Sequence, residues 1–427
     1  MDLAKQTKTM PISILDQVTL GYQLVWNQSR QHCAVQLFVG AHPTESIDVA
    51  HLLTTIGSFW SAQAPSLLLS PQSPQLLAKL LDQAPADAAR IEVNQAWLLD
   101  PAITQRVHHA RQRGLQLVWR GEPGQRPSVA LAPCFERTMV SLTADEALTG
   151  LRVSRHSHCQ TRPQATDPAL RSPVRAGQIY ESVASRVLVE HCLDQQGAWG
   201  VAGWPMEDVV HGYRHQPIQP GQQAIIGLIE AIDADDSTEL IEQALVSEPL
   251  LTYRFLRYTN SAGLGLRTEI ESVRHGLMVL GHARVKAWLL EQLPHAASDI
   301  NLQPIRAAMA LRAQLMAQLL DTGVGDELRR EVYLCGVLSQ IDLILDEPLT
   351  AALQRLPLSN RVTQALLSRT GPYAPYLAVA TALESSDTQA IRALCDANGL
   401  SSGETNRVLL RTLGGAPAHS TRGLLLV

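Results

Sequence analysis

The sequence predicts an α/β domain followed by an all-helical domain, on the basis of three observations. In the first half, short β-like runs alternate with amphipathic helical segments, which is typical of β/α units. After Gln222, the apolar periodicity is helical throughout. Aromatic residues make up only 4% of the 427 residues, so Leu, Ala, Ile and Val must form the core. Chains of this length contain about two or three domains.

Six segments of the first half are predicted to be strands. Several are nearly continuous apolar runs, as in parallel strands that are covered on both faces. They are Val18–Val25, Ala34–Val39, Ser66–Leu69, Arg90–Val93, Leu115–Trp119 and Thr138–Leu142. Helical patterns such as Pro101–Arg113 lie between them. This alternation predicts right-handed β/α units, arranged as a barrel or as an open sheet.

Two segments after the sixth strand depart from this alternation. Arg152–Arg175 contains three prolines and many polar residues, which predicts a long loop within the domain. Glu181–Gln195 has a helical pattern. The Pro- and Gly-containing segment His215–Gly221 is the predicted linker between the two domains.

The second half contains several helix start and stop signals. Ser247 precedes Glu248-Pro249, which favours a helix start because Pro suits the first helical position. Ser272 can cap a further helix that Gly281 ends. The predicted organisation is an α/β domain at 1–214, a linker at 215–221, a helical domain at 222–413 and a tail at 414–427.

Charge and composition exclude several classes of protein. The net charge is −5 and only four residues are Lys, so a basic field for nucleic acid is not expected. No charge-free apolar run reaches the roughly 18 residues of a membrane-spanning helix. The six cysteines form no Cys-x-x-Cys pair, which favours reduced thiols over a zinc ribbon or a disulfide framework. We therefore expect a soluble, cytoplasmic protein without membrane insertion.

Three consecutive blocks of the second half resemble the HDOD domain. Ser247–Leu251, Leu256–Ala262 and Ile270–Gly281 follow that family's patterns in its order and with its spacing. The resemblance extends from about Pro217 to Leu413. It implies an all-helical fold related to the HD phosphohydrolases.

The same resemblance places the metal-binding His-Asp dyad of the HD phosphohydrolases at Ser339-Gln340. Ser and Gln are neutral, and they are poor ligands for a metal ion that must activate water. Asp342 alone cannot rebuild the centre. We therefore expect neither a metal ion nor hydrolase activity in this half.

Segments of the first half resemble the EAL domain, the cyclic-di-GMP phosphodiesterase module. Met10–Ile12 and Gly21–Trp26 are similar to the start of that family, and Gly200–Pro205 is similar to the end of its barrel. Arg355–Leu358 and Ala365–Gly371 resemble the C-terminal part of two-domain EAL–HDOD signalling proteins. The resemblance implies a (β/α) barrel in the first half.

An active EAL domain holds two divalent cations, and the resemblance implies that nearly all of its ligands are lost here. Glu92 keeps a carboxylate, whereas Arg120 brings a cation to the position of the paired aspartates. The remaining positions are Gln23 for the Glu of the EAL motif, Leu68–Ser70 for the Asn, Gln95 near the next acidic motif, Val140–Thr143 for the Lys, Ala176–Tyr180 for the last glutamates and Asn27 for the phosphate-contacting Arg.

One further cluster, His156-Ser157-His158-Cys159, resembles a metal site locally. Its spacing matches no closed metal site, and no second pair of ligands is evident. We interpret the cluster as part of a solvated loop, and the roles of His156, His158 and Cys159 stay open.

Together these observations predict a non-catalytic regulatory or scaffold protein of bacterial signal transduction. We expect no catalytic residues, no metal ion and no cofactor. Its partners are expected to be other signalling proteins, bound through protein–protein contacts, and cyclic-di-GMP binding is not expected. Two alternatives stay open: a sensor that binds cyclic-di-GMP or another nucleotide without turnover, and a cryptic metal-dependent phosphodiesterase.

Overall fold

A computed structural model describes most of the chain. The described residues are 13–42, 47–159, 171–266, 268–320 and 325–415, without the side chains of 156–159. Within them, a strand-rich first part is followed by a helical second part. The motif segment Met10–Ile12 lies outside the described residues.

The strands of the first part close into a barrel in chain order. They are β1 (Val18–Trp26), β2 (His32–Ala41), β3 (Ser66–Pro71), β4 (Arg90–Asn94), β5 (Leu117–Arg120), β6 (Arg137–Ser141), β7 (Ile179–Glu181) and β8 (Gly200–Ala202). The prediction of a barrel followed by a helical domain is therefore confirmed. The open sheet, the other arrangement that the alternation allowed, is excluded.

Strand β1 runs against the direction of the rest of the barrel. It is antiparallel to both β2 and β8, whereas the pairs from β2 to β8 are parallel. Only residues 27–31 join β1 to β2. Such a short connection makes a hairpin, because a parallel crossover needs a dozen or more residues. The expectation of β/α units throughout is therefore wrong for the first two strands.

Strands β7 and β8 were missed in the sequence because each has only three residues. Glu181, predicted to start a helix, instead ends β7. The predicted helix Glu181–Gln195 is shorter, with an α-helical part at Arg186–Glu190 and a π-helical turn at His191–Gln195.

Helices cover the outside of the parallel strands. They are α1 (Val49–Phe59), α2 (Pro74–Gln83), α3 (Pro101–Gln112), α4 (Ala144–Cys159), α5 (Arg186–Glu190) and α6 (Met206–His211). Helices α2 and α3 begin with Pro directly after a capping side chain, Ser73 or Asp100. Both signals were readable in the sequence, and the predicted helix Pro101–Arg113 is confirmed to within one residue.

The predicted long loop Arg152–Arg175 is wrong at its start, because Arg152–Cys159 continue α4. The cluster His156-Ser157-His158-Cys159 therefore lies on the last turns of a helix and not in a loop. Its side chains lie outside the described residues, and residues 160–170 do as well.

The second part is helical throughout its described residues. Its α-helices are α7 (Gln222–Asp233), α8 (Thr238–Val246), α9 (Pro249–Thr259), α10 (Val273–Gln292), α11 (Gln303–Leu319), α12 (Asp326–Leu338), α13 (Ile341–Leu345), α14 (Leu349–Leu353), α15 (Asn360–Thr363), α16 (Ala374–Leu383), α17 (Thr388–Ala397) and α18 (Ser402–Gly414).

Both helix starts predicted in this part are confirmed, but one of them has its cap one residue later than predicted. Ser272 accepts a hydrogen bond from the backbone N–H of His275 and starts α10. Gly281 has φ 69° and ψ 160°, outside the helical region, so the helix that starts after Ser272 ends there as predicted, and a second helix follows directly within the span of α10. Helix α9 begins at Pro249, but Glu248 is its cap instead of Ser247.

Strand β1 packs against the last helices of the chain. The Asn406 side chain on α18 accepts a hydrogen bond from the Leu20 N–H (3.0 Å) and donates to the Leu15 and Val18 carbonyl oxygens (2.8 Å each). At Gly21, a Cβ atom would lie 2.2 Å from the carbonyl oxygen of Ser385. Helices α17 and α18 therefore cover a strand that the barrel's own helices leave bare.

A second contact between the two parts is polar. Arg30, which is only 1% exposed, pairs with Asp194 (2.6 Å) and donates from Nε to the Asn301 side chain (2.8 Å). Nearby, Arg186 contacts Asp299 at 2.7 Å, and Tyr213 donates to the same carboxylate. Both Asp299 and Asn301 belong to the short connection between α10 and α11.

None of the helices that the structure describes is both long and apolar enough to span a lipid bilayer.

Candidate functional site

Polar side chains gather inside the barrel at the carboxyl ends of its parallel strands. This polar layer consists of Gln36, Ser70, Glu92, Arg120, Ser141 and Glu181, one each from β2 to β7. Below it, inward-facing apolar side chains form a separate core cluster, which includes Val118, Met139 and Ile179. Side chains on a strand alternate between the two faces. A polar residue two positions beyond an inward apolar residue therefore also points inward.

Arg120 lies at the centre of the polar layer, between two carboxylates. Its Nη1 is 3.3 Å from Oε1 of Glu92. On the other side, its Nε lies 3.1 Å from Oε1 of Glu181, and its Nη2 lies 2.9 Å from Oε2. Glu92 and Glu181 come from β4 and β7, which are not neighbours in the barrel. One guanidinium therefore joins two distant strands through the barrel interior.

Neutral side chains donate further hydrogen bonds to the two carboxylates. The Gln36 side-chain amide donates to Oε2 of Glu92 at 2.6 Å, and the Ser141 hydroxyl donates to Oε1 of Glu181 at 3.1 Å. Three of the four carboxylate oxygens thus accept a hydrogen bond, and the fourth, Oε2 of Glu181, contacts Nη2 of Arg120. The Glu side chains are only 5% and 8% exposed, so these contacts replace the water that burial removes.

The charges of the three ionisable groups depend on one another. Burial raises the pKa of Glu92, and the charge of Arg120 acts in the opposite direction. For Arg120, burial would lower the pKa, but Glu92 and Glu181 outweigh it and the pKa is raised. The guanidinium therefore stays charged at any physiological pH. It is the cation that balances the two buried carboxylates.

The polar layer does not fit the two divalent cations that the EAL resemblance implies. Divalent cations need several oxygen ligands at about 2.0–2.6 Å, and here the guanidinium already holds the carboxylate oxygens. A metal ion would also meet the like charge of Arg120. Among the described residues, no three His, Cys, Asp or Glu side chains form a group that could hold a metal ion.

Two site residues differ from the sequence analysis. Gln23 was assigned to the position of the EAL glutamate, but it lies on the antiparallel strand β1, directly opposite Gln36. It is Gln36 that contacts Glu92. Glu181 was missed because the segment expected to carry the last glutamates was ended at Tyr180. The sequence did contain a signal for Glu181: it lies two positions after the apolar Ile179, just as Arg120 lies two positions after Val118.

Other predicted positions lie at the edge of the site or away from it. Gln95 starts the turn after β4, and its buried Oε1 has no hydrogen-bond partner in the described part of the chain. Asn27 lies in the β1–β2 hairpin, where its side chain accepts from the Gln31 N–H at 3.1 Å. This hairpin lies at the amino end of β2, whereas Arg120 lies at the carboxyl end of β5. Asn27 and Arg120 are therefore at opposite ends of the barrel.

In the helical part, the predicted dyad position lies at the end of α12. The Ser339 hydroxyl donates to the Gly336 carbonyl oxygen at 2.7 Å, which ties it to its own helix. Gln340 precedes α13, which contains Asp342. These residues line a cavity, which is described below.

Comparison with known proteins identifies the helical part. Residues 222–361 match the HDOD domain family. Two curated relatives are the cyclic di-GMP phosphodiesterase CdgJ of Vibrio cholerae serotype O1, 26% identical over 156 residues, and the uncharacterized protein YuxH of Bacillus subtilis strain 168, 29% identical over 154 residues. The matches cover 36% and 35% of this chain. The chain spans only 36% of the length of either relative.

The solved structures that match part of this chain have low TM-scores. The MmoQ response regulator of Methylococcus capsulatus has 16% identity and a TM-score of 0.37, over 46% of this chain and 99% of that chain. BlrP1 of Klebsiella pneumoniae, in a manganese and cyclic-di-GMP complex, has 14% identity and a TM-score of 0.28, over 44% of this chain and 55% of that chain. Such scores give no information about the chemistry of this chain.

The fold and the site define a closed barrel with a buried layer of carboxylates around one guanidinium, followed by a helical part. Residues 222–361 of the helical part match the HDOD domain family, and the first part has the closed barrel that the sequence predicted.

Proposed function

We propose that this chain is a regulatory protein of bacterial signal transduction that acts in the cytoplasm by binding other signalling proteins and does not catalyse a reaction. One observation carries the proposal: Arg120 occupies the space between Glu92 and Glu181 where a catalytic barrel of this type needs cations. An internal guanidinium pairs with both buried carboxylates permanently. It cannot activate a water molecule as a metal ion does.

The name of one relative, a cyclic di-GMP phosphodiesterase, supports a place in cyclic-di-GMP signalling. In such a setting, a barrel without metal ligands serves as a binding surface. The loss of most site carboxylates also relieves their mutual repulsion. The barrel can therefore stay folded without metal ions.

The test is a metal analysis of the purified full chain together with turnover of cyclic-di-GMP in Mg²⁺ and in Mn²⁺. We expect neither stoichiometric metal nor hydrolysis. Bound Mn²⁺ together with phosphodiester cleavage would contradict the proposal and favour the cryptic phosphodiesterase. Calorimetric titration with cyclic-di-GMP separates the other alternative, because a saturable micromolar signal without turnover would indicate a sensor.

Arg120→Ala tests the role of the internal cation directly. Removing it leaves two buried carboxylates without their cation, and we expect a loss of about 2 kcal/mol in the free energy of unfolding. This loss is smaller than that for a fully buried pair, because the Arg120 side chain is 30% exposed. Millimolar Mn²⁺ should restore part of this loss in the variant and leave the parent unchanged. Urea unfolding with and without Mn²⁺ measures both effects.

Arg106→Ala is the matched control, because Arg106 pairs with Asp82 at 3.0 Å on the exposed surface of α3. Its loss should cost below about 1 kcal/mol, with no response to Mn²⁺. If Arg120→Ala unfolds at the same urea concentration as the parent, the guanidinium does not balance the carboxylates.

A further inference from the structure

The HDOD half contains a cavity of about 780 Å³ that no step of the proposed function uses. It lies among α11, α12, α13, α16 and α17. Cavities of about 300–1,000 Å³ are typical of small-molecule sites. Its walls include Leu343, Leu377 and Leu394 on the apolar side and Arg312, Gln340 and Arg369 on the polar side.

The two arginines of the cavity differ in their partners. Arg312 is only 7% exposed, and its guanidinium pairs with both oxygens of Glu384 at 2.7 and 2.5 Å. Arg369 is exposed, and it has no ion pair with a carboxylate within the part of the chain that the structure describes. Arg369 is therefore the charge available to an anionic ligand, while Arg312 and Glu384 form a neutral wall.

The backbone of Arg369 is strained. It adopts φ 54° and ψ 36°, the left-handed region, at the end of the π-helical turn Gln364–Ser368. Glycine occupies this region without steric cost, whereas the Cβ atom of any other residue crowds the backbone there. Strained residues of this kind concentrate at ligand sites. The strain places a guanidinium at the cavity mouth, beside Thr370 and Gly371.

A second polar atom of the cavity lacks a partner. The Oε1 atom of Gln340 is buried, and it has no hydrogen bond to any described residue. Buried acceptors in proteins are nearly always satisfied. Because water does not reach this atom, a hydroxyl or amino group of a bound molecule can pair with it only after the Gln340 amide turns towards the cavity.

We propose that this cavity binds a small organic phosphate, with its phosphate at Arg369, a hydroxyl or amino donor at Gln340 and its apolar body against Leu377 and Leu394. Arginine presents parallel N–H donors that match phosphate oxygens. The apolar wall and the cavity volume require more than an inorganic ion. The proposal goes beyond the proposed function, since this site lies in the HDOD half and needs no metal ion.

The experiment is calorimetric titration of the full chain with GMP, ribose 5-phosphate, guanosine and inorganic phosphate. We expect saturable 1:1 binding of GMP. Ribose 5-phosphate and inorganic phosphate should bind at least tenfold more weakly, because they leave the apolar wall unfilled. Guanosine should also bind at least tenfold more weakly, because it lacks the charge. No saturable GMP binding up to millimolar concentration, or equal affinity for guanosine and GMP, would overturn the proposal.

Arg369→Gly separates binding from folding. The variant removes the guanidinium and relieves the left-handed backbone, so its melting temperature should equal or exceed that of the parent. Its affinity for GMP should fall at least tenfold. The control is Arg392→Ala on α17, a half-buried arginine that does not line the cavity. Unchanged GMP affinity in Arg369→Gly, or an equal loss in Arg392→Ala, would contradict the assignment.

Discussion

Arg120 shows how one side chain can change the chemistry of a whole site. An anion at this position would add to the charge of Glu92 and Glu181, whereas the guanidinium joins the two carboxylates and offsets part of their charge. The pKa of Glu92 is raised by burial. A second neighbouring anion would raise it further. The same position therefore determines both the stability of the barrel interior and its affinity for cations.

Asp299 gives a pH-dependent prediction at the contact between the two parts. Burial opposes its ionisation, but hydrogen bonds from Tyr213 and the Asn301 N–H, together with the charge of Arg186, outweigh burial and lower its pKa. A carboxyl with a lowered pKa in the folded state stabilises the fold above its unfolded pKa. That contribution is lost as the pH falls through the folded pKa. The window lies below about pH 4.

Asp299→Asn should therefore cost about 1 kcal/mol at pH 7, and the difference from the parent should be smaller at pH 3. Urea unfolding at both pH values measures it. Asp235→Asn is the control, because Asp235 is exposed and its left-handed backbone (φ 58°) suits Asn as well as Asp. A difference that stays constant between pH 7 and pH 3 would contradict the role of the Asp299 charge.

The sequence predicted some residues of the site and missed others for a definite reason. Arg120 and Glu92 were readable, because each lies at the end of a strand with a clear apolar pattern. Glu181 was not readable, because three-residue β7 is too short for a strand period and Glu181 also suits a helix start. Gln23 and Gln36 both follow apolar residues on strands. Which of the two contacts Glu92 depends on the direction of their strands, and the sequence pattern does not show strand direction.

At the scale of elements, β1 differs most from expectation. It has the apolar pattern of a buried strand, and it is buried, but much of its cover comes from helices far away in the chain. Glycines allow this close packing: a Cβ at Gly21 would lie 2.2 Å from the Ser385 carbonyl oxygen, and one at Gly40 would lie 2.2 Å from the Thr388 hydroxyl. The connection between α16 and α17 therefore rests directly on the strands.

Gly21→Ala should push this connection away from β1. Overpacking against backbone costs about 1–3 kcal/mol, and we expect a value near the upper end because the clash is with a carbonyl oxygen. Gly57→Ala on α1 is the matched control, since a Cβ there meets no atom within 4 Å. It should be neutral or stabilising by up to about 1 kcal/mol. Equal stability of the two variants in urea would show that the packing at Gly21 is loose.

For the whole molecule, the two halves share their core. One cluster of buried apolar residues includes Leu20 and Leu37 of the barrel and Leu383 and Leu409 of the last helices. The HDOD match ends at residue 361, so α16 to α18 lie beyond it. Periodicity predicted helices in this region but not their contact with β1, because a helix pattern does not identify its partner.

Asn406 tests this connection between the halves. Asn406→Ala leaves the Leu20 N–H and two carbonyl oxygens without their partner, which should cost about 2–4 kcal/mol in the free energy of unfolding. Asn398→Ala, which loses only a local bond to the Leu394 carbonyl oxygen (2.8 Å), should cost below about 1 kcal/mol. Urea unfolding of both variants measures the difference. Similar costs would mean that α18 contributes little to the barrel.

The cover of β1 by α18 has a consequence for synthesis. Leu20 and Asn406 are 386 positions apart. At about 5–20 residues per second, the ribosome needs roughly 20–80 seconds to produce the second after the first. Throughout that interval the nascent barrel exposes the apolar face of its first strand. The emerging chain therefore depends on chaperones for longer than a barrel that carries its own cover, and slower translation should increase aggregation.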